Sequence, residues 1–388
     1  KCPGVTRIPA PKTLHDLGKL LPMIFNLLSK ESSQEIVIDD LAAVVGKFSK
    51  IHSDIEKTLV DVFTMSSIST SLDKSPTILS FRVPLSGDKK LINTIFSAYN
   101  TFVKATPAPK IGLVVDYEKG KVSDHSDILA QIVSHGGNVT FSKGMSSTNA
   151  IRHSSKTSEP SIKLGSLSIN LPRLALESSK DETYFRARLV LLMKPAIAAM
   201  VTRNKDVSDL IRRGVNPILA EKTQFMQKNN SSLILNLVGL KEAVYKILGH
   251  KDDKAGKEIL NKVLETAVDI AHKKGQEMGI DVSIAMVDSD ELTRFVILDS
   301  EKYGKNSIMD VLDGDLYSQG LELNYVELGK LTAKSDIISE YNKISKILDG
   351  GLLVKLPFDP KAKEDDIKKA IEKASSLISS FKPIKHTK

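Results

Sequence analysis

Cysteine is almost absent from this chain, whose 388 residues include only Cys2. A single thiol excludes a disulfide framework and any cysteine-based zinc site built within the sequence. The scarcity of cysteine fits a reducing, intracellular setting, so we predict a cytoplasmic protein. Tryptophan is absent and aromatic residues make up only 5%. The sequence therefore offers few rings on which the bases of a single-stranded nucleic acid could stack.

Long hydrophobic runs are also missing. No apolar stretch reaches the roughly 20 residues that cross a bilayer, and the best candidate, Leu189–Met200, is interrupted by Lys194 and Pro195. No signal peptide is recognisable, so we predict no membrane association. The chain starts with Lys1 rather than methionine, and we expect further residues upstream.

The chain does carry an excess of positive charge, with a formal net charge of +8. A basic surface is typical of proteins that bind RNA, DNA or nucleotides. A solvated lysine-rich surface is the alternative, because 47 acidic residues are interspersed. The densest basic region is a candidate phosphate-binding patch, formed by Lys143, Arg152, Lys156, Lys163, Arg212 and Arg213.

The apolar pattern predicts strands that alternate with helices, which indicates an α/β fold with parallel strands. Several short runs are almost continuously apolar, as in strands covered on both faces. The predicted strands are Thr77–Val83, Ile111–Val115, Ser166–Leu171, Leu233–Val238, Val282–Val287, Arg294–Leu298 and Leu352–Leu356.

Helices are predicted where apolar residues recur every three or four positions. Residues 1–75 are mainly helical in this interpretation, and residues 76–388 form the remainder of the barrel domain. The predicted helices are residues 12–28, Asp39–Lys50, Ile51–Met65, Asp127–Val133, Asp181–Arg203, Lys241–Leu248, Lys257–Gly275 and a last one with an apolar stripe of Ile367, Ile371, Ala374, Ile378 and Phe381.

Two stretches carry a family resemblance, Gly165–Glu177 (GSLSINLPRLALE) and Leu233–Val244 (LILNLVGLKEAV). Pro109–Asp116 precedes them, and Tyr303–Ser307 and Asp349–Gly351 follow. In this order the segments resemble anaerobic (class III) ribonucleoside-triphosphate reductases, which are glycyl radical enzymes. The resemblance spans nearly the whole chain. It implies a ten-stranded α/β barrel, made of two five-stranded parallel halves with surrounding helices.

The resemblance also implies a radical relay that this sequence does not complete. In the family a finger loop carries a cysteine into the barrel centre, where it passes a hydrogen atom between a glycyl radical and the ribose. The corresponding loop here is Met145–His153, in which Asn149, Ala150 and Ile151 precede Arg152. A C–H bond of alanine or isoleucine cannot replace the weak S–H bond. The finger loop is therefore degenerate.

The family also has a cysteine-rich zinc ribbon and a glycyl radical loop beyond the barrel, and neither follows Phe381 in this sequence. We therefore expect a degenerate relative with no cofactor and no metal. Three histidines, at positions 125, 135 and 153, are too irregularly spaced for a known metal-ligand pattern.

Carboxylates follow one predicted strand, at Asp288, Asp290 and Glu291. Active sites of α/β barrels lie at such strand ends, although a solvated acidic turn would look the same. With the segments that carry the resemblance, they suggest a set of pocket or phosphate contacts: Asn170, Arg173, Asn236, Asp288, Glu291 and Asn306.

Three functional hypotheses follow. The first is a catalytically inactive relative whose barrel is a binding platform for a nucleotide or for RNA such as that of the ribosome, as a monomer or a homodimer. The second is the barrel subunit of a split reductase that needs a separate glycyl radical subunit. The third is a structural protein without a ligand.

Overall fold

A computed structural model of the protein describes residues 9–48, 54–72, 77–106, 109–144, 147–152, 162–215, 231–312 and 314–385. Eleven strands and thirteen α-helices lie within these ranges. The strands are β1 (Glu35–Ile38), β2 (Ile78–Pro84), β3 (Ile111–Asp116), β4 (Asn138–Ser142), β5 (Ile162–Asn170), β6 (Ser231–Val238), β7 (Asp281–Met286), β8 (Leu321–Glu322), β9 (Gly351–Leu352), β10 (Val354–Phe358) and β11 (Ser380–Lys385).

The helices lie between most of these strands, as the alternating pattern predicts. They are α1 (Leu14–Ser29), α2 (Leu41–Gly46), α3 (Ile55–Leu72), α4 (Lys89–Ala105), α5 (Ser126–Ser134), α6 (Leu171–Glu177), α7 (Glu182–Arg212), α8 (Lys254–Met278), α9 (Leu292–Tyr303), α10 (Lys305–Met309), α11 (Tyr325–Leu328), α12 (Asp336–Ile347) and α13 (Glu364–Leu377). A π-helical turn, Glu242–Ile247, follows β6.

The described strands form two sheets. The larger has the order β1-β2-β3-β4-β11-β10-β8, and the smaller has the order β5-β6-β7-β9. All neighbours are parallel except β4 and β11, which run antiparallel. Parallel strands need long crossover connections, and the intervening helices provide them.

The strands are buried because helices cover the outer face of each sheet. All six residues of β3 are buried, as the continuously apolar pattern of Ile111–Val115 predicts. Helix α1 begins at a capping box in which Thr13 and Asp16 each satisfy a backbone N–H of the other. No helix in the described ranges is long and apolar enough to span a membrane.

One predicted strand is wrong. Arg294–Leu298 lies inside α9 rather than in a sheet. Ile297 and Leu298 point outward and are 52% and 37% exposed. A short apolar run has no periodicity that separates a strand from a helix. Within this run only Phe295 and Val296 pack on a buried cluster, on one face of the helix.

The last predicted helix is too long. Helix α13 ends at Leu377, so Ile378 and Phe381 do not continue its apolar stripe. Phe381 belongs to β11 and stacks on Phe141 of β4, with ring centroids 4.7 Å apart. The predicted division at residue 75 stays a prediction. One hydrophobic core includes residues from both sides of it.

Candidate functional site

The predicted finger loop, described from Ser147 to Arg152, is anchored by one carboxylate of β1. Glu35 Oε1 accepts hydrogen bonds from the backbone N–H of Thr148 at 2.9 Å and from its hydroxyl at 2.8 Å. Glu35 Oε2 accepts from the Ser147 hydroxyl at 2.6 Å, and the Ser80 hydroxyl also donates to Oε1. Three of these four donors belong to the loop, which is held firmly because hydrogen bonds to charged groups are the stronger ones.

The tip of the finger loop, Ala150 and Ile151, is apolar. Ala150 is fully buried and has a left-handed backbone with φ of 57°. It belongs to a small cluster in which Ile151 packs beside it; the other members are Ile234, Ala285, Val287 and Leu353. No thiol is present at this tip, and the only cysteine, Cys2, lies outside the described residues.

Two glycines of the smaller sheet receive the tip. Ile151 forms an isolated antiparallel bridge with Gly351, and the Arg152 N–H donates to the Gly350 carbonyl at 3.0 Å. A Cβ atom at Gly351 would lie 2.1 Å from the Ala150 carbonyl oxygen. The glycine pair is therefore explained by close approach of two backbones.

The Arg152 side chain is used to fix the loop. Its guanidinium donates to the Ser345 carbonyl at 2.9 Å, the Ser345 hydroxyl at 3.0 Å and the Leu348 carbonyl at 3.3 Å. Burial lowers the pKa of Arg152. Asn149 contributes its backbone N–H to the Ser147 hydroxyl at 3.0 Å. These contacts are internal to the protein.

A buried carboxylate binds two side chains of residues 170–173, which belong to the first stretch that carries the family resemblance. Asp299 is fully buried and accepts hydrogen bonds from Asn170 Nδ2 at 2.7 Å, Arg173 Nε at 2.5 Å and the Tyr317 hydroxyl at 2.9 Å. We call these four residues the Asp299 network. Burial raises the pKa of Tyr317, so its hydroxyl stays a donor. Two predicted site residues, Asn170 and Arg173, are thus brought together.

The other predicted pocket residues lie apart from this network in their contacts. Asn236 is buried and links β6 to the end of β7, exchanging two hydrogen bonds with the Val287 backbone at 2.9 and 3.0 Å. Asp288 pairs with Lys355 at 2.5 Å. Glu291 is exposed and accepts from the Ser289 hydroxyl at 3.0 Å. Asn306 is exposed on α10.

The predicted basic patch stays a prediction, and its described members have varied surroundings. Lys143 lies 5.3 Å from the Tyr117 ring centroid. Lys163 donates to the Ser232 hydroxyl at 2.6 Å, and burial lowers the pKa of Lys163. Arg212 pairs with Asp209. The two remaining members are Arg213, which is exposed at the end of α7, and Lys156, which lies outside the described residues.

Metal binding finds no support within the described ranges, where no three His, Cys, Asp or Glu side chains are grouped to hold an ion. His125 Nδ1 lies 2.6 Å from Asn93 Oδ1, and His135 Nδ1 lies 3.0 Å from Asn100 Oδ1. The third histidine considered from the sequence, His153, lies outside the described residues.

Sequence reasoning missed two residues that organise the site. Glu35 lies in a four-residue strand that is only half-buried, so it has no clear apolar alternation. Asp299 lies in the helix that was predicted as a strand. A signal was present: α9 places Asp299 seven residues after Leu292, on the same helix face, and both are buried.

Comparison with solved structures defines the class of fold. The anaerobic ribonucleotide reductase from Thermotoga maritima, in complex with dATP and CTP, superposes with a TM-score of 0.71 at 16% identity, over 98% of this chain and 71% of that one. The B12-independent glycerol dehydratase from Clostridium butyricum gives 0.66 at 12%, over 97% and 62%. The α/β fold is that of the glycyl radical enzyme barrels, as predicted, and its described strands form sheets of seven and four rather than the two predicted halves of five.

The sequence itself then specifies the family. Residues 107–380 match the profile of the anaerobic ribonucleoside-triphosphate reductase family. No curated protein matches the chain. The chain belongs to the anaerobic ribonucleoside-triphosphate reductase family, and the predicted resemblance is confirmed.

Proposed function

We propose that this chain is a catalytically inactive member of its family, and that it binds a nucleotide on the inner face of its sheets. One observation carries the proposal: Ala150 occupies the tip of the finger loop, buried among apolar side chains. Neither an alanine methyl nor the neighbouring isoleucine can exchange a hydrogen atom with a glycyl radical as a thiol does.

The alternative function is the barrel subunit of a split reductase. A separate subunit could supply a glycyl radical loop. It could not supply a thiol at the loop tip, because Ala150 has no exposed surface and its carbonyl lies against Gly351. The inactive protein is therefore the better supported proposal.

A nucleotide is the favoured ligand because of the shared scaffold. The Thermotoga maritima reductase, which superposes over 98% of this chain, is described in complex with dATP and CTP. This choice of ligand rests on the analogy of the fold, since the particular side chains of a site decide what it binds.

Two measurements on the full chain test this proposal. Isothermal calorimetry with ATP, dATP and CTP should show saturable binding. Under strict anaerobic conditions, with an activating radical enzyme and a glycyl-loop subunit of a related reductase, no deoxyribonucleotide should form. Turnover would overturn the inactive assignment in favour of the split reductase. Absence of binding by every nucleotide would favour a structural protein.

The net charge of +8 supports a second candidate, a large RNA such as that of the ribosome, because phosphate contacts dominate such binding. Sedimentation of cell extract through a gradient at low salt tests it. Migration with ribosomal particles that is lost at high salt would support RNA binding. Migration as a free monomer or homodimer at low salt would exclude it.

A further inference from the structure

Two lysines lie side by side on the larger sheet, and the proposed function assigns a role to neither. Lys355 of β10 and Lys382 of β11 are register partners on parallel strands. Their chain neighbours Leu356 and Phe381 belong to the hydrophobic core on the helix-covered face. Successive side chains of a strand point to opposite faces, so both lysines lie on the other face.

That other face is the inner one, where the finger loop lies. Phe381 pairs with Phe141 of β4. The residue before Phe141 is Thr140, whose hydroxyl donates to the Thr148 carbonyl of the finger loop at 2.6 Å. Lys382 follows Phe381 and therefore lies on the same face as Thr140. The two ammonium groups thus belong to the interior on which the finger loop is anchored.

The charges on this face leave one lysine without an ion pair. Lys355 Nζ lies 2.5 Å from Asp288 Oδ1. Asp288 and Glu35 both act electrostatically on Lys382, but no carboxylate oxygen within the described ranges lies within 4.0 Å of Lys382 Nζ. Glu35 already accepts four hydrogen bonds from Ser80, Ser147 and Thr148.

The half-buried Lys382 is consequently in an unfavourable position unless an anion joins it. Burial lowers the pKa of Lys382 and outweighs the attraction of Asp288 and Glu35, which favour the charged form; the adjacent Lys355 adds a smaller lowering. A buried ammonium group is expensive to leave unpaired. A bound anion would give Lys382 the direct ion-pair partner that it lacks among the described residues, and lysine is a common point-charge ligand of phosphate.

We propose that Lys382 and Lys355 form an anion-binding site on the inner face of the larger sheet, and that this site takes a phosphate group. The proposal rests on the proposed nucleotide-binding function and assigns the end of the ligand that this face holds. Asp288 orients Lys355 beside the site, and Glu35 keeps the finger loop in place above it.

Lysine acetylation of the wild-type full chain tests the site without any variant. The protein is treated with a limiting acetylating reagent alone, with ATP, with tripolyphosphate and with adenosine, and each lysine is quantified by peptide mass spectrometry. At a ligand concentration ten times the dissociation constant, ATP and tripolyphosphate should slow acetylation of Lys382 about tenfold. Lys369, which is exposed on α13, should react equally in all samples.

Matched variants add an affinity measurement. Lys382→Met keeps the apolar stem and removes the charge, so it should weaken ATP and tripolyphosphate binding about tenfold, whereas Lys382→Arg and the surface control Lys369→Met should change it less than about twofold. A Lys382→Met variant that unfolds would leave the acetylation pattern as the deciding result.

The outcomes separate this site from the broader function. ATP binding by calorimetry without protection of Lys382 would overturn the site and leave nucleotide binding standing. Protection by adenosine equal to that by ATP would also overturn it, because no anion would be needed. Protection by tripolyphosphate but not ATP would support the anion site while excluding a nucleotide. No binding of any probe would overturn both.

Discussion

The Asp299 network is polar and fully buried at its centre, whereas the tip of the finger loop is apolar. Asn170 and Arg173 of the network lie in a stretch that carries the family resemblance, and the loop lies between two such stretches. In the network, one carboxylate accepts hydrogen bonds from Asn170, Arg173 and Tyr317. At the tip, Ala150 contributes a methyl group to a cluster of aliphatic side chains.

The two regions are held in different ways, the network by side-chain hydrogen bonds and the loop tip by main-chain contacts. The network joins the start of α6, which follows β5, to α9, and its residues would be costly to replace one at a time. The tip is held through backbone atoms, so its side chain can change at little cost. The motif of residues 170–173 and the residue at the loop tip are therefore held by separate contacts.

The largest effect should come from Asp299→Ala. The substitution leaves Arg173, Asn170 and the Tyr317 hydroxyl without their shared acceptor. The Arg173 side chain is 32% exposed and can partly rehydrate, so we expect a loss of about 3 kcal/mol in the free energy of unfolding, the low end for a broken buried pair. Urea denaturation measures it.

The control for this substitution is Asp290→Ala, which removes an exposed carboxylate close in sequence. It should change the free energy of unfolding by less than about 0.5 kcal/mol. Equal effects of the two substitutions would contradict a structural role for the network.

Glu35→Gln should give the next largest effect and tests the loop side of the comparison. The amide keeps the shape of the carboxylate but removes its charge and replaces one acceptor with a donor. We expect a loss of about 2 kcal/mol. Hydrogen exchange should show faster exchange at the Thr148 amide, with α13 unchanged.

A double-mutant cycle with Ser147→Ala provides the control for Glu35→Gln. Because Ser147 donates directly to Glu35, the two effects should couple by about 0.5 kcal/mol or more. Strict additivity would mean that Glu35 does not anchor the loop.

Tyr317→Phe should have a smaller effect on the network. The ring stays in place and only the hydrogen bond to Asp299, at 2.9 Å, is lost. We expect a decrease of about 1 kcal/mol in the free energy of unfolding. In the Asp299→Ala background the same substitution should cost almost nothing, and a full additional loss there would contradict the shared acceptor.

Ala150→Gly should have the smallest effect. The methyl group lost from the apolar cluster and the relief of the left-handed backbone, with φ of 57°, oppose each other, so the free energy of unfolding should change by less than about 1 kcal/mol. Thermal and urea denaturation both report it. A loss of several kcal/mol would mean that the tip side chain, not the backbone, seats the loop.

The sequence predicted β2, β3, β6 and β7 because their runs are largely apolar, as at Ile111–Val115. It did not predict β4, in which polar side chains such as Thr140 line the inner face. The stretch Arg294–Leu298 was assigned wrongly because four adjacent apolar residues fit either a strand or a helix. A local apolar pattern indicates that a segment is buried, but it does not identify the elements that pack against it.

The candidate site, like the fold, could be predicted from the sequence only in part. The lack of a thiol in the loop Met145–His153 could be predicted, because it depends only on residue identity. The roles of Glu35 and Asp299 could not, because each depends on residues far away in the chain, Thr148 for Glu35 and Asn170 for Asp299. Pairings across more than 100 residues leave no local pattern.

The contact between Gly351 and the carbonyl of Ala150 has a consequence for how this lineage could change. The contact is between main-chain atoms, so a substitution at position 150 that fits the apolar cluster would leave the contact in place. A different small side chain could therefore be introduced at this position while the main-chain contact that holds the loop is kept.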